Sequence, residues 1–277
     1  MARAKPRKTN RDLPDYKNPP VVEVVCGVSF DRLRKFLVHH VGLLWSQLAQ
    51  DFTEIGEQPN LPRIFEGFDN EPRVNVELMQ IQDWPRAQFA QPNGGDIIQV
   101  QRDRFLYNWR KRASEAYPRY EAVFGRFWAK LNQFSALMDQ AQIGPVAPVQ
   151  FELTYLNQIL EGEGWTDWGQ IGRMFVDAPS VKDGAKLLYS THGINWLSTY
   201  DLPEKSGRLY AHLRSATRTL DKKPLLSLEM TVRGMPKDTS DATVKEWFDI
   251  AHKWIVQGFY ELTSDKMQTG VWKRVNP

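Results

Sequence analysis

A single cysteine, Cys26, in a chain of 277 residues excludes an internal disulfide and any cysteine-based zinc site. No apolar run approaches the roughly 18–20 residues needed to cross a bilayer, and the first residues lack the apolar stretch of a secretory signal. The sequence has no G-x-x-x-x-G-K-[ST] loop, no G-x-G-x-x-G after a strand and no G-x-S-x-G elbow, so the common phosphate-cradling, dinucleotide and hydrolase motifs are missing. Histidine is scarce at five residues, and the adjacent His39 and His40 point to different sides of a helix, a poor arrangement for ligating one metal. These absences describe a soluble, cytoplasmic chain with no indicated cofactor or metal, and they lean away from an enzyme.

Charge of one sign is also in short supply. Lys and Arg number 36 against 33 Asp and Glu, for a net charge of +3. Much of that excess lies in the first residues, at Arg3, Lys5, Arg7, Lys8 and Arg11. The body is therefore close to neutral, and a polyanion partner would have to be recognised by a local patch.

What is present is a folding composition. Hydrophobic residues make up 42% and charged residues 25%, the range of globular domains rather than disordered chains. Ten tryptophans are unusual, and tryptophan serves both cores and interfaces. Self-association therefore stays open.

Residues 1–19 read as a flexible basic arm stopped by Pro19 and Pro20. The next stretch, "VVEVVCGVSF", is a strand by its β-branched content, with Val22, Val24, Cys26, Val28 and Phe30 on one face. Leu33, Phe36, Leu37, Leu44, Leu48 and Phe52 then follow near helical spacing, interrupted by Gly42. "RVNVELMQIQDW" and "DIIQVQRDRFLYNW" predict strands joined by a turn at Pro92-Asn93-Gly94-Gly95. Tyr117, Tyr120, Phe124, Phe127, Leu131, Phe134 and Met138 form one stripe of a long helix.

"IGPVAP" at 143–148 reads as a linker. After it come a strand at "VQFELTYLNQI", a short helix at "GWTDWGQIGRMF", and strands at "AKLLYSTHGINWL", "GRLYAHLRSATR" and "LLSLEMTVRG". A closing helix is capped by Asp238-Thr239-Ser240-Asp241 and lined by Trp247, Ile250, Ala251, Trp254, Gly258, Phe259 and Leu262. The expected fold is α+β in two similar halves, 20–142 and 149–277, each an antiparallel sheet covered by a long amphipathic helix.

Four residues are candidate pocket or partner contacts. Glu23 and Glu152 alternate with apolar residues in the opening strand of each half, where a carboxylate meets either water or a buried partner. Tyr155 and His252 would line a cavity between helix and sheet, His252 as a pocket base or a hydrogen-bonded core residue. Cys26, on an apolar strand face, would be an inert packing thiol.

"QVQRDRFLYNWRKR", residues 99–112, poses a choice of its own. Read as one strand, it puts Phe105, Tyr107 and Trp109 on one face with Asp103, and both arginines on the other. A base-stacking platform needs arginines beside the aromatics, so the aromatics are expected to pack under a helix and Arg110, Lys111 and Arg112 to end the strand in solvent. Those three, with Lys5, Arg7 and Lys8 of the arm, are the candidate nucleic-acid contacts.

The blocks "NPPVVEVVCGVSF", "IIQVQRDRFLYNWRK", "YPRYEAVFGRF", "VQFELTYLNQI" and "WFDIAHKWIVQGFYELTSDKMQTGVW" resemble a sporadically distributed family of uncharacterised prokaryotic proteins, over nearly the whole chain after the arm. Cys26-Gly27 stands where acidic or aromatic residues would be expected. The resemblance implies no transferable activity. It does imply a patchy occurrence, typical of mobile or defence-associated gene neighbourhoods.

The leading expectation is thus a non-enzymatic protein-binding component of a bacterial defence or toxin-related module, accessory, antitoxin-like or immunity-like, with a partner encoded nearby. Nucleic-acid binding and a small-molecule sensor or enzyme are the alternatives.

Overall fold

The computed structural model describes residues 13–62, 64, 66, 84–112, 115–178, 187 and 191–276. The basic residues Lys5, Arg7 and Lys8 and most of the expected strand at 73–84 lie outside the described residues. The fold is α+β, with one large antiparallel sheet and few helices. Among the described residues nine strands run in the order β2-β3-β4-β5-β1-β6-β9-β8-β7. They are β1 (Val21–Phe30), β2 (Glu54–Gln58), β3 (Arg86–Ala90), β4 (Ile97–Gln101), β5 (Arg104–Arg110), β6 (Pro148–Leu160), β7 (Asn195–Asp201), β8 (Gly207–Thr217) and β9 (Pro224–Gly234). The α-helices among the described residues are α1 (Val38–Leu48), α2 (Tyr120–Gln140) and α3 (Asp241–Leu262). Among the described residues no helix is long and apolar enough to cross a membrane.

β1 is the seam of the sheet. Cys26 stands opposite Tyr107 of β5 on one side and Leu153 of β6 on the other, so the sequence blocks on either side of 143–148 meet in continuous hydrogen bonding. Val24, Cys26, Val28 and Phe30 are buried as alternation predicts. Val22 is not, because an irregularity between Val21 and Glu23 shifts the phase and buries Val21 instead.

The segment 99–112 corrects the sequence reading. It is not one strand: Arg102 and Asp103 form the turn between β4 and β5, and Val100 stands opposite Phe105. The turn reverses the phase, so Val100 joins Phe105, Tyr107 and Trp109 on the aromatic face and Asp103 leaves it. Phe105 lies 5.3 Å from Phe134 and 6.4 Å from Phe127 of α2. On the opposite face Gln88 donates to Gln99, Gln99 to Asn108 and Asn108 to Glu23, at 3.1, 2.8 and 2.6 Å. That relay satisfies side chains which would be costly to bury unpaired.

α1 is shorter than the apolar spacing from Leu33 to Phe52 suggests. Leu33, Phe36 and Phe52 are buried from non-helical segments, while Leu37 is exposed. His40 holds the start of the helix by accepting the Leu37 N–H on Nδ1 at 3.0 Å.

α2 buries the expected stripe from Tyr120 to Met138 and packs against β5 and β1. Tyr117 precedes the helix. α3 packs against β9, β6 and β8 and buries Trp247, Ala251, Phe259 and Leu262 as expected, on a wider arc than the sequence spacing suggests. Phe248, His252 and Ile255 are buried, while Ile250 is exposed and Trp254 half-buried. The reason is lateral: α3 also meets α2, with Phe248 5.1 Å from Phe124 and 5.4 Å from Phe127, and a helix facing both a sheet and a neighbour buries a wider arc.

Candidate functional site

A cavity of about 600 Å³ opens where the first residues of β1, the start of α2, strand β6 and the middle of α3 converge. Tyr155 and Asn157 come from β6, His252 and Phe259 from α3, and Tyr117 and Tyr120 from the approach to α2. Period two puts Tyr155 and Asn157 on the same face of β6. Helical spacing stacks His252, Ile255 and Phe259 along one side of α3.

The walls are chemically particular. The Tyr117 and Tyr155 hydroxyls bond each other at 2.7 Å. The Tyr120 hydroxyl donates to Asp249 at 3.1 Å, and its ring lies flat on His252, centroids 4.1 Å apart. The imidazole is buried and its Nδ1 has no hydrogen-bond partner among the described residues. Burial pushes the imidazole pKa down to about 4, against the smaller opposing pull of Glu121 and Asp249. Burial likewise pushes the phenols of Tyr117 and Tyr155 up, so both keep their protons.

A strap of chain forms one rim. Tyr16 bridges to Arg274, the Val275 N–H bonds the Asp15 carbonyl, and Asn276 bonds Asp15 and Leu13. Arg119, held at a positive φ of 74° just before α2, pairs with Asp15. A non-glycine residue in that region is strained, and the ion pair ties the α2 approach to the strap.

The candidates divide cleanly. Tyr155 and His252 come together, with ring centroids 6.0 Å apart. Glu23 and Glu152 lie outside the cavity, each paired with an arginine on a neighbouring strand: Glu23 with Arg110 at 3.2 Å and Glu152 with Arg233. Arg110 is thus engaged, Arg112 contacts Gln91 and Glu115, and Lys111 is exposed between them. Cys26 is fully buried, and desolvation raises its thiol pKa far above the ordinary range. Among the described residues no group of three or more His, Cys, Asp or Glu is placed to hold a metal ion.

Sequence reasoning passed over Tyr117, Arg119 and Asn157. The signal for the first two was the run Tyr117-Pro118-Arg119-Tyr120, two tyrosines bracketing a proline directly before a helix. No family model, curated protein or solved structure matches the chain, so the geometry of the cavity carries the functional reading.

Proposed function

We propose that this chain is a binding protein of the sensor type, holding a small molecule in the cavity between β6, α2 and α3. One observation carries the reading: a buried imidazole, His252, lines a cavity of about 600 Å³ and has an Nδ1 with no partner among the described residues. Orphaned buried polar atoms are uncommon in folded proteins and call for a partner, and this volume lies in the range of ligand sites. Recognition suits the lining better than catalysis. The imidazole is too weakly basic, and the phenols too weakly acidic, to exchange protons readily near neutrality.

The test is to purify the full chain, denature it and examine the released small molecules by mass spectrometry, beside a Val256→Trp variant that fills the cavity. A compound released by the wild type in near-equal amount to protein, and lost from the variant, supports the reading. A wild type that releases nothing and binds no probe of the cavity overturns it.

A protein partner is a second reading, favoured by α1. Leu37 is 42% and Val38 65% exposed, with Leu43 and Trp45 also outward, an apolar surface on one short helix. The organisation we favour is two similar halves, each a set of antiparallel strands with its own long helix, joined at β1 and β6. The cellular setting we favour is a cytoplasmic bacterial defence or toxin-related module in which ligand occupancy is passed to that partner. Co-purification from the native host, compared with a Val38→Asp/Trp45→Asp variant, tests this second reading.

A further inference from the structure

We infer that the cavity selects an uncharged, flat, ring-bearing molecule that hydrogen-bonds His252 and lies among the aromatic and aliphatic side chains around it. The inference rests on the ligand-binding reading and names the ligand's class.

Shape and lining come first. Ile255, Val256 and Phe259 supply an apolar wall from α3, and Pro19, Pro20 and Val21 supply another from the start of β1. Flat aromatic groups gain most from such surroundings, through area and ring contacts together.

The polar groups narrow the class. The Tyr117 and Tyr155 hydroxyls already bond each other, and the Tyr120 hydroxyl is bonded to Asp249. That leaves two buried hydrogen-bonding atoms of the lining without a partner among the described residues, His252 Nδ1 and the Tyr16 hydroxyl. Stacking on Tyr120, with planes 6° apart, fixes the imidazole plane, so Nδ1 offers its bond in one direction. A ligand with a single well-placed hydroxyl, amide or ring nitrogen meets it.

The fixed charges argue against an ionic ligand. Arg119 is paired with Asp15 at the half-exposed rim, and Asp249 is engaged by both Tyr120 and Lys245. The imidazole stays neutral even with Glu121 and Asp249 nearby, and the phenols hold their protons. The charged lining residues Asp15, Arg119 and Glu121 sit where solvent reaches them, whereas the buried wall of His252 and the phenols resists charge and imposes the same desolvation penalty on a guest. An aromatic cage for a quaternary ammonium would use similar rings, so the cation is the informative competitor.

The probes are naphthol, naphthoate and naphthylmethylammonium, one ring system in neutral, anionic and cationic form, titrated into the full chain by calorimetry and ligand-observed NMR at neutral pH. Naphthol is expected to bind, both ions at least about tenfold more weakly, and Val256→Trp to abolish the binding. His252→Phe keeps the stacked ring and removes the hydrogen bond, so it should weaken naphthol by about fivefold. An ion binding as tightly as naphthol overturns the neutral class while leaving a ligand site in place. Naphthol binding that Val256→Trp does not abolish, or no binding of naphthol, also overturns the inference. Equal naphthol affinity in a folded His252→Phe overturns the role of Nδ1, and the wild-type probe series decides the class even if that variant does not fold. The ligand-binding reading itself falls only if all three probes fail and no small molecule co-purifies.

Discussion

His252 lies flat against Tyr120, ring centroids 4.1 Å apart and planes 6° from parallel. The contact joins α3 to the first turn of α2 and buries most of the imidazole. Its pKa, lowered from 6.5 to about 4 by burial, makes the pair a sensor of acid. The native state keeps the ring neutral, while the unfolded chain takes up a proton below about 6.5. The contribution is therefore complete above that value and is lost as pH falls toward 4, by on the order of 3 kcal/mol across the window. Urea unfolding at about pH 7 and about pH 5 should show a larger loss for wild type than for His252→Phe. Equal losses in the two proteins would assign the acid sensitivity to other groups.

Phe134 of α2 touches Phe30, Phe36 and Phe105 at 5.9, 5.8 and 5.3 Å. It thereby connects α2 to β1, β5 and the segment before α1. Phe134→Ala is expected to cost about 3–5 kcal/mol. Ile250→Ala, on the exposed side of α3, should change stability by no more than about 0.5 kcal/mol. Denaturation midpoints at constant m-value would check both, and a large loss at Ile250 would contradict its exposed position on α3.

The arc that α3 buries marks where the sequence was legible and where it was not. α2 could be read closely, because Tyr120, Phe124, Phe127, Leu131, Phe134 and Met138 recur at three- and four-residue steps and all are buried. In α3 large residues stand side by side at Trp247-Phe248 and Trp254-Ile255, and periodicity alone does not say which of each pair faces inward. The Arg102–Asp103 turn was hidden for a different reason: two polar residues between apolar strands also fit one long alternating strand. Tyr155 and His252 were visible as polar groups on apolar faces. Their meeting was not, since it depends on β6 pairing with β1 and on α3 lying beside α2.

Glycines give opposite expectations at two places. Gly42 is exposed in the middle of α1, with nothing within 4 Å of an added Cβ. Gly42→Ala should therefore stabilise the protein by about 0.5–1 kcal/mol through helix propensity. Gly207 faces Gly234 across β8 and β9, and an added Cβ at Gly207 would come within 2.5 Å of the Arg233 carbonyl oxygen. Backbone has little room to retreat, so Gly207→Ala should cost about 1–3 kcal/mol. Thermal unfolding of the two variants should shift in opposite directions, and a shift of the same sign would undo the argument from local space.

Cys26 gives a probe of the seam itself. It is fully buried between Tyr107 and Leu153, and burial raises its pKa, so its reactive thiolate is suppressed in the native state. Labelling by an aromatic disulfide reagent should be very slow in buffer and complete within minutes in denaturant. Because β1 is bonded on both sides, exposure of Cys26 requires the centre of the sheet to open. Its labelling rate should therefore follow global unfolding as urea rises, whereas a thiol under a fraying edge would react independently of denaturant. Rapid labelling in buffer, at a rate unaffected by low urea, would mean that β1 opens locally and is not the rigid centre of the sheet.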